Sequence, residues 1–425
     1  MLLLVLAKYL IGSRPNSSGG TNYYYYYDEY TWAAAVIALA WFAWIILKRY
    51  LRTRALRRPP RKRNHRPLKR IVRIKRQLSS LYLQPGFSAN IHAVGIGLAP
   101  GSGNYCIQVF VNDARAELSP GSRGAALPRD YLGVPLVLIE MPMAGFLSDV
   151  ASNSSSAAGK YSQGIREPQE IIVGGISGAN TNLTGQSGTI GYFCTRRSTL
   201  RRRREVHLLS NSHVFVDLRK GKVDATDLIV QPSPGEPSSN RPIATLVNFS
   251  TLKFGNGPDD PNRVDAAIAK LWGPHPHKPV IPMIGSVIGQ VNHRDIELGE
   301  RVRKFGRTTG YTEGTIFSLY LDIRIRYDRT GQSAFFNDQI LIAPVLPEFT
   351  KFVSKGDSGS VVIDREQRAI GLIFGGMSEL PPKRPPDMAK QKPGEDPTAQ
   401  RIESYGVANP ISDVLDRMKI DLLIM

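Results

Sequence analysis

Residues 351–364 read KFVSKGDSGSVVID. The polar turn Gly356-Asp357-Ser358-Gly359-Ser360 runs straight into Val361-Val362-Ile363, a β-branched run with the composition of a buried strand. A serine set between glycines is either an ordinary hairpin corner or a nucleophile turn that presents its hydroxyl to a cleft. The five residues do not decide between these readings, so partners must be sought elsewhere in the chain.

A serine hydroxyl is a poor nucleophile at neutral pH. It needs a base to take its proton and a carboxylate to hold that base in the right tautomer. Of the seven histidines, His213 is the strongest candidate base. In LLSNSHVFV it follows an apolar strand and a polar Asn211-Ser212 corner, where a side chain can face a cleft. His207, earlier on the same strand, is expected to face solvent. His275 and His277 sit in a proline loop, GPHPHKP, and lack a third residue to complete a metal site. For the carboxylate, NRVDAAIAKLW embeds Asp265 among Val264, Ala266, Ala267 and Ile268. A carboxylate there is costly unless hydrogen-bonded. An imidazole N–H satisfies it, and so does an ion pair with the nearby Arg263; Asp265 alone leaves both open.

Order along the chain separates them. His213, Asp265 and Ser358 run His, Asp, Ser, the order used by two-barrel peptidases. From about residue 185 to 418 the chain resembles the chymotrypsin/trypsin-like serine peptidase superfamily. It is nearest to bacterial trypsin-like proteins akin to the plant narrow-leaf type. The resemblance is carried by LSNSHV (209–214), VDAAIA (264–269), GRTTGYTEG (306–314) and GDSGS (356–360). It implies Ser358 as nucleophile, His213 as general base and acid, Asp265 as its orienting carboxylate, and the backbone amides of Gly356 and Ser358 as the oxyanion hole. Gly359 would let the chain pass close behind the nucleophile. Thr308 and Thr309 are expected to build a turn and not to touch substrate.

The chain also departs from that pattern. In secreted relatives a newly cut amine pairs with the Asp before the nucleophile. Here IIVGG (171–175) has no Arg or Lys directly before it, so Asp357 must find another partner. Phe352, six residues before Ser358, would be the floor of the specificity pocket and would disfavour cleavage after Arg or Lys. Gly375 and Gly376 suit a sheet edge to which a substrate strand can add. The polar, proline-rich stretch 378–400 reads equally as a flap over that edge or as a solvated insertion. The arginines at 196, 197 and 201–204 read as a solvated loop.

Bulk properties frame these motifs. With 425 residues, 42% of them hydrophobic, the chain can build more than one core, and 39 Gly and 30 Pro favour turns and strands over a helical bundle. Two cysteines, Cys106 and Cys194, exclude a disulfide framework and fit reduced thiols. The stretch from Lys48 to Arg76 holds 15 Lys/Arg and no acid, against a net charge of +19, so the folded part is only mildly basic. Just ahead, TWAAAVIALAWFAWIIL (31–47) is uncharged. As a helix it would be about 26 Å long against a hydrocarbon core of about 30 Å, so a transmembrane helix is expected. The cations after it orient the body toward the cytosol. MLLLVLAKYLIG does not read as a cleaved signal, and the tyrosines of YYYYYDEY (23–30) would lie at the outer interface. The basic run 48–76 fits contact with anionic lipid better than nucleic acid, which would want interleaved aromatics. Its prolines at 59, 60 and 67 suggest an extended segment.

The expected organisation is a tail (1–30), the membrane helix (31–47) and a basic juxtamembrane linker (48–82). A small α/β or β accessory domain (83–149) and a Ser/Ala/Gly-rich linker (150–170) precede the peptidase domain (171–425). That domain should be mainly β, two six-stranded antiparallel barrels with a C-terminal helix capped by Asn409. Glycines 95, 97, 101 and 103 read as a hairpin, since no helix or Walker lysine follows. The expected function is a membrane-anchored serine endopeptidase acting on protein or peptide, with no metal or organic cofactor. The alternative is an inactive peptide-binding scaffold of the same fold.

Overall fold

Short runs of Val, Ile, Leu and Phe, broken by Gly, Pro and Asn, become strands in the computed structural model, and the protein is mainly β. The structure describes residues 11–15, 21–25, 66–84, 87–114, 128–146, 149–150, 164–183, 185–197, 205–218, 227–273, 275–327, 332–378 and 401–424. These fall into two units, 1–67 and 68–425. In the first, Ile11–Pro15 pairs antiparallel with Thr21–Tyr25. The apolar stretch 31–47, the basic residues up to 65 and most of 378–400 lie outside the described residues. Among the described residues no helix is long and apolar enough to cross a membrane.

The second unit holds two large sheets. A seven-stranded sheet has the order Ala179–Asn180, Leu228–Gln231, Arg241–Phe249, Ala267–Leu271, His207–Ser210, Tyr192–Arg196, Ile420–Leu422. The other has twelve strands. Its path begins Arg301–Gly306, Val361–Asp364, Arg368–Ser378, Ser404–Pro410, Ser333–Pro344, Gly310–Arg326, and the last of these also pairs with Arg301–Gly306, so the pairings return on themselves. Buried apolar side chains fill the interior of each, including Phe193, Leu209 and Ile268 in one and Ile342, Val362 and Ile373 in the other.

The segment expected to be a separate accessory domain instead lengthens the second sheet. Gly310–Arg326 pairs beyond its bulge with Ile91–Leu98, which continues to Tyr105–Val111 and Val134–Glu140. A physical cause lies in the long strand itself. Its first half alternates buried and half-buried residues, then the register shifts between Ser318 and Leu321, with Tyr320 at φ +50°. A bulge bends the strand and re-aims its edge, so that its second half is buried on both faces.

The expected extended linker is also different from residue 66 on. Arg66–Tyr82 is an α-helix whose Ile71, Ile74, Leu78 and Tyr82 are buried at i, i+3, i+4 spacing. Pro67 is tolerated because it stands in the first turn, where its missing N–H has no intrahelical partner. Lys75 is fully buried in this face, with Nζ 2.7 Å from Asp322 and 3.4 Å from Asp338. Burial raises the Asp338 carboxyl, but Lys75 and Arg263 more than offset this and hold it down at about 2.

At the other end, Ile411–Met418 forms the expected amphipathic helix, with Ile411, Val414, Leu415 and Met418 buried. Its N-cap is Pro410, not Asn409. Asn409 faces inward and bonds elsewhere, as described below. His207 is likewise buried and not solvent-facing, because its strand is paired on both edges and packed on both faces.

Lys75→Ala leaves two carboxylates without their ammonium, and urea unfolding should show a loss of about 3–5 kcal/mol. His92, fully buried with Nε2–H donating to Met141 O at 2.7 Å, is pushed down to about 4 by desolvation. The unfolded chain therefore binds the extra proton first. Melting temperature should fall as pH drops from about 6.5 toward about 4, and His92→Gln should flatten the curve in that window.

Candidate active site

The turn Asn211-Ser212-His213 follows the His207–Ser210 strand and opens a four-residue helical turn, Ser212–Phe215. It folds onto Asp265, which precedes the neighbouring strand Ala267–Leu271. Both oxygens of that carboxylate are engaged by the turn. Oδ1 accepts from the Ser212 amide at 2.6 Å and the His213 amide at 3.3 Å, and Oδ2 accepts from His213 Nδ1–H. Both side chains are almost wholly buried. The Asp265 main chain is fixed as well: Asn211 Nδ2 donates to its carbonyl at 2.7 Å, and its amide donates to Asn409 Oδ1 at 3.0 Å. Arg263 goes to Asp338 at 2.7 Å and Asp413 at 3.0 Å. Of the two partners the sequence leaves open for Asp265, the structure selects the imidazole.

Ser358 stands on the turn into Val361–Asp364, buried, with its carbonyl accepting from the Thr189 amide at 2.8 Å. Its hydroxyl donates to Phe374 O at 3.5 Å, not to His213. The seam between Ser358 and the His213 strand is tight. Gly359 has φ +96°, and a Cβ there would fall on the Thr189 carbonyl and Ser210 Oγ. Ser210 Oγ in turn donates to that same carbonyl at 2.8 Å. Gly356 has φ +97°, and a Cβ there would lie 2.5 Å from Arg307 Nη1 and Thr308 Oγ1. Both glycines are therefore required by backbone conformation and by space. Neither the Gly356 amide nor the Ser358 amide donates to an acceptor among the described residues, so both remain available to an incoming oxygen.

Asp357 has its partner. Lys304, fully buried on the Arg301–Gly306 strand, places Nζ 3.2 Å from Asp357 Oδ2. The same carboxylate accepts from the amides of Thr308 (2.9 Å), Thr309 (3.2 Å) and Ser354 (2.9 Å) and from Thr309 Oγ1 (2.8 Å). Burial pushes the Lys304 ammonium below its ordinary value, and the charge and hydrogen bond of Asp357 oppose that. IIVGG takes no part. Ile172 is buried, and the amides of Gly174 and Gly175 are spent on Val280 O and Ile190 O.

A second buried network backs the same loop. Arg307 pairs through Nε with Glu236, which also takes Arg166 at 2.8 Å and Ser177 Oγ at 2.9 Å. Desolvation raises the Glu236 carboxyl, and the two guanidinium groups bring it below its ordinary value. The Arg307 amide donates to Thr189 Oγ1 at 3.1 Å, and that hydroxyl donates to Gly356 O at 2.8 Å. The Thr308–Thr309 turn is thus structural, as expected, and its purpose is to hold Asp357.

Phe352, expected as the floor of a specificity pocket, points into the core. It is buried in the core against Gly314 and Gly406. Its neighbours Lys351, Val353, Ser354 and Lys355 line a cavity of about 540 Å³, together with Gly376, Ser378, Glu403 and Ser404. Apart from this site, Glu300, Asp364 and Glu366 bring their carboxylates within reach of one ion. Arg368 already neutralises two of them, at 2.6 Å from Asp364 and 3.2 Å from Glu366. Burial raises Glu300 to about 7.

Lys304 and Asn409 escape a reading of the sequence. Lys304 left one signal: it lies in phase with Val302 on an alternating strand, so it shares the buried face. Asn409 was masked by the proline after it, which mimics a helix start.

Residues 281–423 match the family model described as the Nal1 C-terminal domain. The protein NARROW LEAF 1 of Oryza sativa subsp. japonica is 26% identical over 256 residues, covering 56% of this chain and 40% of that protein. The chain therefore spans less than half the length of this curated relative. Thermobifida fusca protease A is 15% identical, covering 60% of this chain and 100% of its own, at a TM-score of 0.37. Cellulomonas bogoriensis chymotrypsin is 15% identical over 60% of this chain and 99% of its own, at 0.36.

Replacing Lys304 with Met strands the Asp357 charge in the core and should cost about 3–5 kcal/mol. Adding Asp357→Asn removes that charge and should recover part of the loss, since the amide NH2 replaces an oxygen that accepts hydrogen bonds. Guanidinium unfolding of both single variants and the double variant checks this; a double-variant loss equal to the sum of the two single losses would show that the residues are not coupled.

Proposed function

We propose that this chain is a serine endopeptidase with the chymotrypsin-like two-barrel fold. The observation that carries the reading is the buried His213–Asp265 pair, set across the Thr189–Ser210 seam from Ser358. Sequence order His, Asp, Ser and the available Gly356 and Ser358 amides agree with it. The six strands whose pairings return on themselves correspond in this reading to the second barrel.

In the mechanism, Ser358 Oγ turns from Phe374 O and attacks the scissile carbonyl carbon while His213 Nε2 takes its proton. Asp265 holds the imidazole in the Nδ1–H tautomer and stabilises the imidazolium. The carbonyl oxygen becomes an oxyanion and accepts from the Gly356 and Ser358 amides, each such donor contributing about 3 kcal/mol to lowering the barrier. Collapse breaks the C–N bond, and the amine leaves with the proton from His213. Water, deprotonated by His213, then hydrolyses the acyl-enzyme. None of these steps calls for a metal or organic cofactor. The long Ser358 contact in the resting state is compatible with this, since catalytic hydrogen bonds often tighten only around substrate.

Membrane attachment through residues 31–47, with residues 48–76 on anionic lipid and the body in the cytosol, is part of the proposal and rests on sequence alone. The second reading, a peptide-binding scaffold without activity, takes its support from the same hydroxyl, which donates to Phe374 O.

A fluorophosphonate probe separates the two. The chain should label and Ser358→Ala should not, while labelling of neither, with a peptide panel also uncut, favours the scaffold. Asp265→Asn should keep the fold and lower kcat by about 10⁴, because the imidazole loses its tautomer. Steady-state kinetics on any peptide that is cut will measure that loss.

A further inference from the structure

We propose that the two strand edges beside Ser358 are occupied by the chain's own Ala144–Phe146 and Asp149–Val150, paired as a substrate strand would be, so that the folded protein is inhibited until these strands are displaced. The inference rests on the peptidase reading above.

The two edges that flank Ser358 are both taken. On one side Phe374 O receives the Ser358 hydroxyl, and Gly375 and Gly376 follow it on the Arg368–Ser378 strand. Ala144–Phe146 pairs antiparallel with this edge, Phe146 opposite Gly375 and Gly145 opposite Gly376. On the other side Thr189 binds the Ser358 carbonyl, and just upstream Gln186–Ser187 offers a second edge. Asp149–Val150 pairs antiparallel with it, Asp149 opposite Ser187 and Val150 opposite Gln186. Ala144–Phe146 therefore holds the edge next to Phe374, and Asp149–Val150 holds the edge next to Thr189. Main-chain pairing on both sides of a nucleophile is how an extended peptide is held for cleavage. It is also the edge that the sequence marks, through Gly375 and Gly376, as suited to a substrate strand.

The Ala144–Phe146 strand is anchored upstream by contacts independent of the cleft. Met141 N–H donates to Val111 O at 2.8 Å, His92 Nε2–H to Met141 O at 2.7 Å, and Met143 N–H to Asn112 Oδ1 at 3.1 Å. Pro142, Met143 and Gly145 then close one side of the 540 Å³ cavity along Val353–Lys355 and Gly376. Gly145 also pairs with Arg326 of the Gly310–Arg326 strand, in parallel. A tethered strand competes at high effective concentration. An outside peptide meets a site whose open fraction is small, and its apparent affinity is reduced by that fraction.

The test loosens the strand without touching the catalytic groups. Gly145→Pro removes an amide donor, while a Cβ at this position meets only Arg326 O, at 3.9 Å. Asn112→Ala loosens the Met143 anchor from a distance. Two readouts apply to each full-length protein whose melting curve matches the parent: the rate of fluorophosphonate labelling, and, in the Ser358→Ala background, binding of a fluorescent peptide of residues 141–150. Both variants should label at least about tenfold faster than the parent. The unlabelled peptide should slow them again, and the fluorescent peptide should bind the loosened proteins and not the parent. Labelling at the parental rate with no gain in peptide binding would overturn the proposal. If no protein labels but the peptide still binds only the loosened forms, occupancy of the cleft stands and the peptidase reading falls.

Discussion

The buried pair of Lys304 and Asp357 is the constraint on which the arrangement around Ser358 depends. Asp357 lies between Gly356 and Ser358, so whatever fixes its carboxylate also fixes the direction of the two flanking amides. An unpaired carboxylate at that depth would be intolerable, and the fold surrounds it with one ammonium, three amides and a hydroxyl. Gly356 and Gly359, both at positive φ, let the chain turn tightly enough to keep it there. An internal lysine is thus the charge that answers Asp357, the partner the sequence alone leaves open.

A second chain of charges joins the two sheets. Asp265 sits beside a strand of the seven-stranded sheet, yet its amide is held by Asn409 from the twelve-stranded one, and Asn409 Nδ2 donates to Gln339 at 2.6 Å. Two residues before Asp265, Arg263 reaches Asp338, which also receives Lys75 from the Arg66–Tyr82 helix. The carboxylate that orients His213 is therefore aligned from the other sheet, and the helix is tied into the same network. Such pairs add little net stability over an apolar core, but removing one member leaves a buried charge uncompensated. They hold the sheets in one relative position more than they strengthen them.

Much of the candidate site was legible because its parts are local. The GDSGS turn, the Asn211-Ser212-His213 corner and the Val-Asp-Ala-Ala strand start each carry their own signature of glycine, polar corner or embedded charge. Alternation and turn residues likewise sufficed for a mainly β chain with one amphipathic helix at its end. The misreadings share a cause. The immediate neighbours of His207, Phe352 and Asn409 do not set their burial, because their surroundings come from segments far away in sequence. Residues 66–82 were read as an extension of a basic run, although Ile71, Ile74 and Leu78 already carried the helical period.

What the sequence by itself determined, then, is the set of chemical groups, their order His213, Asp265, Ser358, and the strand-rich character of the body. Local backbone preferences and hydrophobic period are properties of neighbours along the chain. Only the tertiary structure decided which charge answers which: Lys304 for Asp357, Arg263 for Asp338 instead of Asp265, Asn409 for the Asp265 amide. It also decided that Ile91–Leu98, Tyr105–Val111 and Val134–Glu140 extend an existing sheet and that Ala144–Phe146 and Asp149–Val150 pair with the Arg368–Ser378 and Gln186–Ser187 edges. Those choices depend on desolvation and on open strand edges, and both exist only once distant segments have been brought together.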